Sequence, residues 1–250
     1  MPAPNPPLTT RARSAHQLLD AIIGQWRNEC ASQGSRLYCH PGCAGCCSLQ
    51  VQASWAEALL LAEALTETEQ RQLRGYVRRL LALTRQQRDY KQLLAQVRQQ
   101  LGSCPFLAAD GRCAHYSRRP LACRALYATR EPHYCTLDFS RLSSAEKQTF
   151  LAGLDRRLVD FPTHYAATPR QFAASLEQQL LQHQQQWTGH RLLGNLPLLV
   201  CLAGRPRLRA ALQQHATGWL GRLQRRWPLL LAANSNSADA DSLPRQHFSP

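Results

Sequence analysis

Apolar residues recur along this chain at steps of three and four, the period of a helix with one buried face. Leu18, Leu19, Ile22, Ile23 and Trp26 make the first stripe and predict a helix over about 12–29. Trp55, Ala58, Leu59, Ala62 and Leu65 make a second. Thr66 with Glu69 reads as a capping box. It opens a long pattern through Leu73, Tyr76, Leu80, Leu83, Gln87, Tyr90, Leu94, Val97 and Leu101, a heptad seam in which Gln87 is the only polar member. Ser143 with Glu146 starts another helix, with Phe150, Leu154 and Leu158 inward. Thr168 reads as a cap with Pro169 at the first helical position, leading to Phe172, Leu176, Leu180 and Trp187. A last helix runs from about Pro206 through Leu208, Leu212, Trp219 and Leu223. No alternation of strands and helices appears, which argues against a parallel sheet.

Residues 102–125 break the helical pattern. Asp110-Gly111 lies between Cys104-Pro-Phe-Leu and Cys113-Ala-His-Tyr, and Asp-Gly between short apolar runs signals a hairpin. The expected fold is mainly all-α, a helical bundle with a cysteine-rich metal-binding loop region and a short β-hairpin. The expected organisation is a disordered tail over 1–10, a cysteine-cluster domain over 11–140, an arginine-rich helical region over 141–232 and a second disordered tail over 233–250.

Composition adds one strong constraint. The longest apolar runs, Leu196 to Ala203 and Trp227 to Ala233, fall short of the ~20 residues that span a bilayer. The start, MPAPNPPLTTRAR, has no apolar segment of a secretory signal, so a reducing cytoplasmic compartment is expected. Ten cysteines in such a compartment are not explained by disulfides. They are also not scattered: eight fall between Cys39 and Cys135. Clustered thiols in an intracellular chain read first as metal ligands and second as redox groups.

Net charge is +14, nearly all from arginine, with Lys91 and Lys147 the only lysines. From Glu177 to Asp239 no acidic residue intervenes, while Arg191, Arg205, Arg207, Arg209, Arg222, Arg225 and Arg226 are basic. Such a stretch can meet RNA, an anionic membrane surface or an acidic protein partner, or it can be a solvated helix face. No aromatic strand pair for RNA stacking accompanies it.

The cysteines form two elements. The first is Cys39-x3-Cys43-x2-Cys46-Cys47, with Gly45 easing a tight turn that aims thiolates at one metal. The second is Cys104, then Cys113 after the Asp-Gly turn, then Arg119-Pro120-x2-Cys123-Arg124, with Cys135 following. Four thiolates complete a tetrahedral zinc site or a [4Fe–4S] cluster, and eight can hold two ions or a bridged pair. Arg119 and Arg124 read either as counter-charges for a thiolate centre or as an anion-binding site for a substrate or cofactor. Tyr116 reads as core. His40, His115 and His133 adjoin cysteines and can substitute as ligands.

CHPGCAGCC at 39–47, SWAEA at 54–58, CPFL at 104–107 and DGRCAHYSRRPLACR at 110–124 resemble the YkgJ-type cysteine cluster proteins, a zinc- or iron-chelating family. The resemblance implies metal ligation by Cys39, Cys43, Cys46, Cys47, Cys104, Cys113, Cys123 and Cys135, and leaves Cys30 and Cys201 outside. The function expected is metal binding, of zinc, iron or an iron–sulfur cluster, in a structural, redox or metal-handling role. The cluster is also similar to that of flagellin lysine methylases, which implies as an alternative a modification enzyme using an iron–sulfur cluster and S-adenosylmethionine. Cys39, Cys43 and Cys46 have the radical SAM spacing, but Gly45 stands where an aromatic is usual and the barrel pattern is missing. An RNA-binding protein with a zinc module is a further alternative, resting on charge.

A shared centre makes a geometric demand. A continuous helix from 67 to 101 would carry the chain ~50 Å, and the helix before it recovers only ~18 Å. Either the seam breaks near Gln87 or the two cysteine elements hold separate metals.

Overall fold

The computed structural model describes residues 7–40, 42–87, 89–214 and 218–234. Helix α1 (Leu8–Ser32) begins inside the expected N-terminal tail, whose first six residues lie outside the described residues. Its buried side is Leu8, Ala12, Ala15, His16, Leu19, Ile23, Trp26 and Cys30, whereas Leu18 is half exposed. The predicted stripe was therefore one residue out of phase at Leu18, because Leu18-Leu19 allows either face. Strand β1 (Gln52–Ser54) leads into α2 (Trp55–Ala62), capped by Ser54 and Glu57 in a reciprocal box. Helix α2 is buried nearly all round, with an acidic residue among its buried positions.

Helix α3 (Glu67–Thr84) starts at the Thr66/Glu69 capping box, and α4 (Tyr90–Gln100) starts on the Asp89 side chain. The break between them contains Gln87, so of the two alternatives the sequence left open, the seam does break there. The buried positions of α4 are Leu93 and Val97; Leu94 turns elsewhere. Two single-turn helices follow, α5 (Leu121–Arg124) and α6 (His133–Thr136). Helix α7 (Ser144–Ala152) opens on the Ser143/Glu146 box but ends before Leu154 and Leu158. Helix α8 (Ala167–Thr188) starts at Ala166, so Thr168 and Pro169 lie within its first turn rather than at its boundary. Phe172, expected inward, is largely exposed.

Strand β2 (Arg191–Asn195) pairs antiparallel with β1, Gln52 opposite Asn195, and with β3 (Leu231–Asn234), Arg191 opposite Asn234. This small sheet, in the order β1-β2-β3, was not anticipated. Strand β2 is buried along its whole length, so it shows no alternation to read. Helix α9 (Leu196–Ala203) is the first long apolar run, all eight residues buried. The single helix expected after Pro206 is two, α10 (Pro206–Gln213) and α11 (Gly218–Arg226). The expected C-terminal tail begins within β3, and from 235 it lies outside the described residues.

Buried side chains from Leu8 to Leu231 form one main cluster, with Ala12, Trp55, Leu61, Leu80, Val97, Leu199 and Leu212 at its centre. The expected regions 11–140 and 141–232 both contribute to it. Among the described residues no helix is long and apolar enough to cross a membrane.

Candidate metal centre

The first cysteine element is a knuckle. The Cys43 N–H donates to the His40 carbonyl at 3.0 Å, and Gly45–Ser48 forms a 3-10 turn carrying Cys46 and Cys47. The second element is a short hairpin. Leu107 bridges Cys113, the Ala114 N–H donates to the Phe106 carbonyl at 2.9 Å, and Gly111 takes φ +80° at its tip. Only glycine adopts that angle readily.

The two elements meet. The Cys104 N–H donates to the Cys47 carbonyl at 2.8 Å. A side chain on Gly111 would lie 3.5 Å from the Gly42 carbonyl, so hairpin tip and knuckle touch. Helix α6 closes the other side: a Cβ on Gly45 would stand 2.9 Å from the Cys135 Cβ and 3.1 Å from the Pro132 carbonyl. Gly45 thus serves this close approach as well as the turn. The Ser48 hydroxyl donates to the Gly45 carbonyl at 3.0 Å, with the Cys135 carbonyl at 3.4 Å.

The eight thiols fall into two electrostatic neighbourhoods. Among Cys47, Cys104, Cys113 and Cys123, each charge would act on every other. The same holds among Cys39, Cys43 and Cys135. Cys46 lies between them, influenced by Cys47, Cys123 and Cys39. Burial pushes Cys104 up to about 12, Cys135 up to about 11 and Cys123 well above the usual thiol range. Cys47 is the exception, drawn down to about 7 by a hydrogen bond from Cys46, whose own thiol is raised by that bond. Without a cation most of these sulfurs hold their protons.

The donor chemistry fits a thiophilic metal. Backbone N–H groups point at three sulfurs: Ala128 to Cys39 at 3.1 Å, Phe106 to Cys104 and His115 to Cys113. Such bonds favour the thiolate. All ten cysteines are free thiols. Among the described residues no three His, Cys, Asp or Glu side chains close on one point as a finished site.

The two expected arginines part company. The charge of Arg119 favours the thiolates of Cys39, Cys47, Cys113 and Cys123. Its guanidinium lies 3.6 Å from the centre of the Tyr116 ring, and Tyr116, expected in the core, is exposed. Arg124 is buried and turned to structure, donating to Asp20 at 2.5 Å, the Ser117 carbonyl at 2.6 Å and the Arg119 carbonyl at 2.8 Å. His115 is engaged with Glu69 at 2.8 Å, and the His133 ring stacks 4.0 Å from Tyr134. His40 is exposed.

Three residues at the site carry no local sequence signal. The His164 Nε2 stands 3.3 Å from the Cys135 Sγ and is held neutral, its pKa down to about 4 through burial. The Tyr165 hydroxyl also bonds to Cys135. The third is Glu57, fully buried, which accepts from the Leu121 N–H at 2.7 Å and so anchors the helix of Cys123. Cys30 and Cys201 are buried on α1 and α9, outside these neighbourhoods. Of the arginine-rich stretch, Arg191 is buried and bonded to Gln178, whereas Arg205, Arg207, Arg222, Arg225 and Arg226 are exposed.

No curated protein and no solved structure matches the chain. One family model does, over residues 38–147, under the description "CxxCxxCC: Putative zinc- or iron-chelating domain". That span contains both cysteine elements and Cys135, and over it the chain is similar to the CxxCxxCC family.

Proposed function

We propose that this protein binds two metal ions or clusters, zinc or iron, through two neighbouring four-thiolate sites. Cys47, Cys104, Cys113 and Cys123 make one; Cys39, Cys43 and Cys135 with Cys46 make the other. The observation that carries the reading is the Cys104 N–H bond to the Cys47 carbonyl at 2.8 Å, which joins hairpin to knuckle, and the charges of Cys47, Cys104, Cys113 and Cys123 act on one another there. Four soft donors suit tetrahedral zinc or an iron–sulfur cluster, and a cation supplies the charge that lets buried thiols deprotonate. Arg119 serves as counter-charge to both groups rather than as a cofactor clamp, and Arg124 as a positioning residue.

Anaerobic purification with elemental and sulfide analysis tests this. Two zinc ions per chain without colour, or iron with sulfide and a visible charge-transfer band, are the expected results. Cys113→Ser should remove one metal or cluster and Cys39→Ser the other. Loss of all metal from either substitution points to a single shared cluster, and less than one metal per chain overturns the reading.

A second reading, an iron–sulfur-dependent modification enzyme using S-adenosylmethionine, is favoured by the cavity that Cys135 borders. It requires saturable S-adenosylmethionine binding to the iron-loaded protein by calorimetry, and absence of binding removes it.

A further inference from the structure

A cavity of about 260 Å³ lies between α4, α6, α7 and the 162–165 segment. Lys91, Leu94, Ala95 and Arg98 line it from one face of α4, spaced as a helical stripe that the core does not use. This is why the buried positions of α4 are Leu93 and Val97 instead. Lys147 faces the cavity from α7. Both lysines of an arginine-dominated chain therefore border the same space.

The lining has two chemical halves. Tyr134, Phe139 and Phe150 supply an aromatic wall, with Phe139 and Phe150 edge to face at 4.6 Å and Tyr134 5.2 Å from Phe150. Three cations line the same space. Among the described residues, none of Lys91, Arg98 and Lys147 is paired with a carboxylate. The one lining acid, Asp138, is joined to Arg141 at 3.3 Å. The Nε of Arg98 is buried and has no hydrogen-bond partner, while its terminal nitrogen donates to the Leu137 carbonyl at 3.3 Å. The buried guanidinium nitrogen leaves a demand for an acceptor that the chain does not meet, and exposed Lys91 and half-buried Lys147 add positive charge to the same space.

We propose that this cavity is a binding site for a small organic anion, a carboxylate or phosphate carried on an aromatic or apolar body. The anionic group pairs with Lys91, Arg98 and Lys147, and the body packs on the aromatic wall. The volume lies just below the usual range of about 300–1,000 Å³ for such sites and suits a small ligand. Buried Cys135 and His164 also line the cavity, so the ligand lies beside the second thiol group. The inference rests on the cavity and its charges and stands independently of which metal the thiols hold.

Isothermal titration of the full, metal-replete chain with phenyl phosphate and with phenylacetate tests it, with phenylacetamide as the neutral comparison. At least one anion should bind saturably with Kd of about 1 mM or tighter. Phenylacetamide should bind at least tenfold more weakly, and Lys91→Gln with Lys147→Gln together should weaken the anion at least tenfold. Leu94→Trp should abolish binding by filling the space, with metal content unchanged. The proposal is overturned if neither anion saturates, if anion and amide bind alike, or if the double lysine variant binds as the parent does. Metal content, measured on the same samples, separates failure here from failure of the thiolate reading.

Discussion

Glu57→Gln isolates the residue that joins the helical core to the cysteine elements. Its carboxylate is fully buried and receives four donors. They are the Ser54 N–H at 2.9 Å, the Ser54 hydroxyl at 2.8 Å, the Leu121 N–H at 2.7 Å and His16 Nε2 at 3.3 Å. Glutamine keeps the shape but offers one acceptor oxygen and presents an NH2 to the remaining donors. A buried donor facing another donor costs about 1–3 kcal/mol, and removing the charge opposite a buried partner about 3–5 kcal/mol. These terms overlap, so about 3–5 kcal/mol is the expected total. For a chain of this length that is a fall in Tm on the order of 10 °C.

Thermal unfolding at one fixed scan rate, followed by circular dichroism, is the assay, with Glu69→Gln as the comparison. Glu69 makes the same capping box on Thr66 but is partly exposed, so its loss should cost about 1 kcal/mol. Burial pushes the Glu57 carboxyl up, but the hydrogen bond and charge of His16 with the N–H groups of Leu121 and Ser54 outweigh it. Its pKa is therefore lowered on folding. The stability it contributes is present above the ordinary glutamate range and is lost as pH falls below that range. The difference between parent and Glu57→Gln should accordingly shrink in acid. Equal Tm shifts for the two variants, or a difference that grows in acid, would refute the argument that burial decides.

Gly45→Ala places a methyl against the Cys135 side chain and the Pro132 carbonyl, an overpacking of about 1–3 kcal/mol that should lower metal content, whereas Gly75→Ala, with open space around it, should stabilise α3 by up to about 1 kcal/mol. Elemental analysis and Tm on both variants check the pair. Arg119→Met removes a charge that favours the thiolates of Cys39, Cys47, Cys113 and Cys123, so zinc uptake by the stripped protein should need a higher pH; an unchanged pH midpoint would show that backbone N–H groups suffice. Chelation should cost hydrogen-exchange protection in 42–48 and 104–135 while α1, α8 and α9 keep theirs, and a uniform loss would mean that the metal supports the whole fold.

Local chemistry was legible wherever one side chain bonds its own neighbourhood. The Thr66/Glu69 and Ser143/Glu146 boxes mark true helix starts, and Asp110-Gly111 marks a true hairpin. The break at Gln87 was legible as one of two alternatives, because a straight helix could not have returned the chain to its first cysteines for a shared centre. Features decided by tertiary burial were not legible. Strand β2 is buried on both faces and offers no period of two. Thr168-Pro169 looks like a helix start, yet the preceding residues already pack: the Ala166 N–H donates to the Tyr127 carbonyl at 2.9 Å, and the Ala167 N–H to the Leu158 carbonyl at 2.9 Å. Tyr116 reads as core only because it is aromatic; its ring lies against the Arg119 guanidinium and is exposed.

The same division runs through the site. The thiols were readable because their spacing is local, while the groups that set their environment arrive from far along the chain. Glu57 reaches Leu121 across 64 residues, Ala128 reaches Cys39 across 89, and His164 reaches Cys135 across 29. His164 and Tyr165 also lie beyond the 38–147 span, so Cys135 takes part of its surroundings from outside the matched domain. A thiol cluster assembled in this way does not carry its surroundings when moved as the cysteine segment alone. Cut off at 147, that segment keeps all eight thiols yet loses the β2 partner of β1 and the two residues packed on Cys135. It also loses α8, whose Gln184 accepts from the Trp55 N–H at the start of the helix that carries Glu57. The helical frame is therefore part of the site in the physical sense: it holds Leu121, Ala128 and Cys135 where the knuckle and the hairpin can reach them.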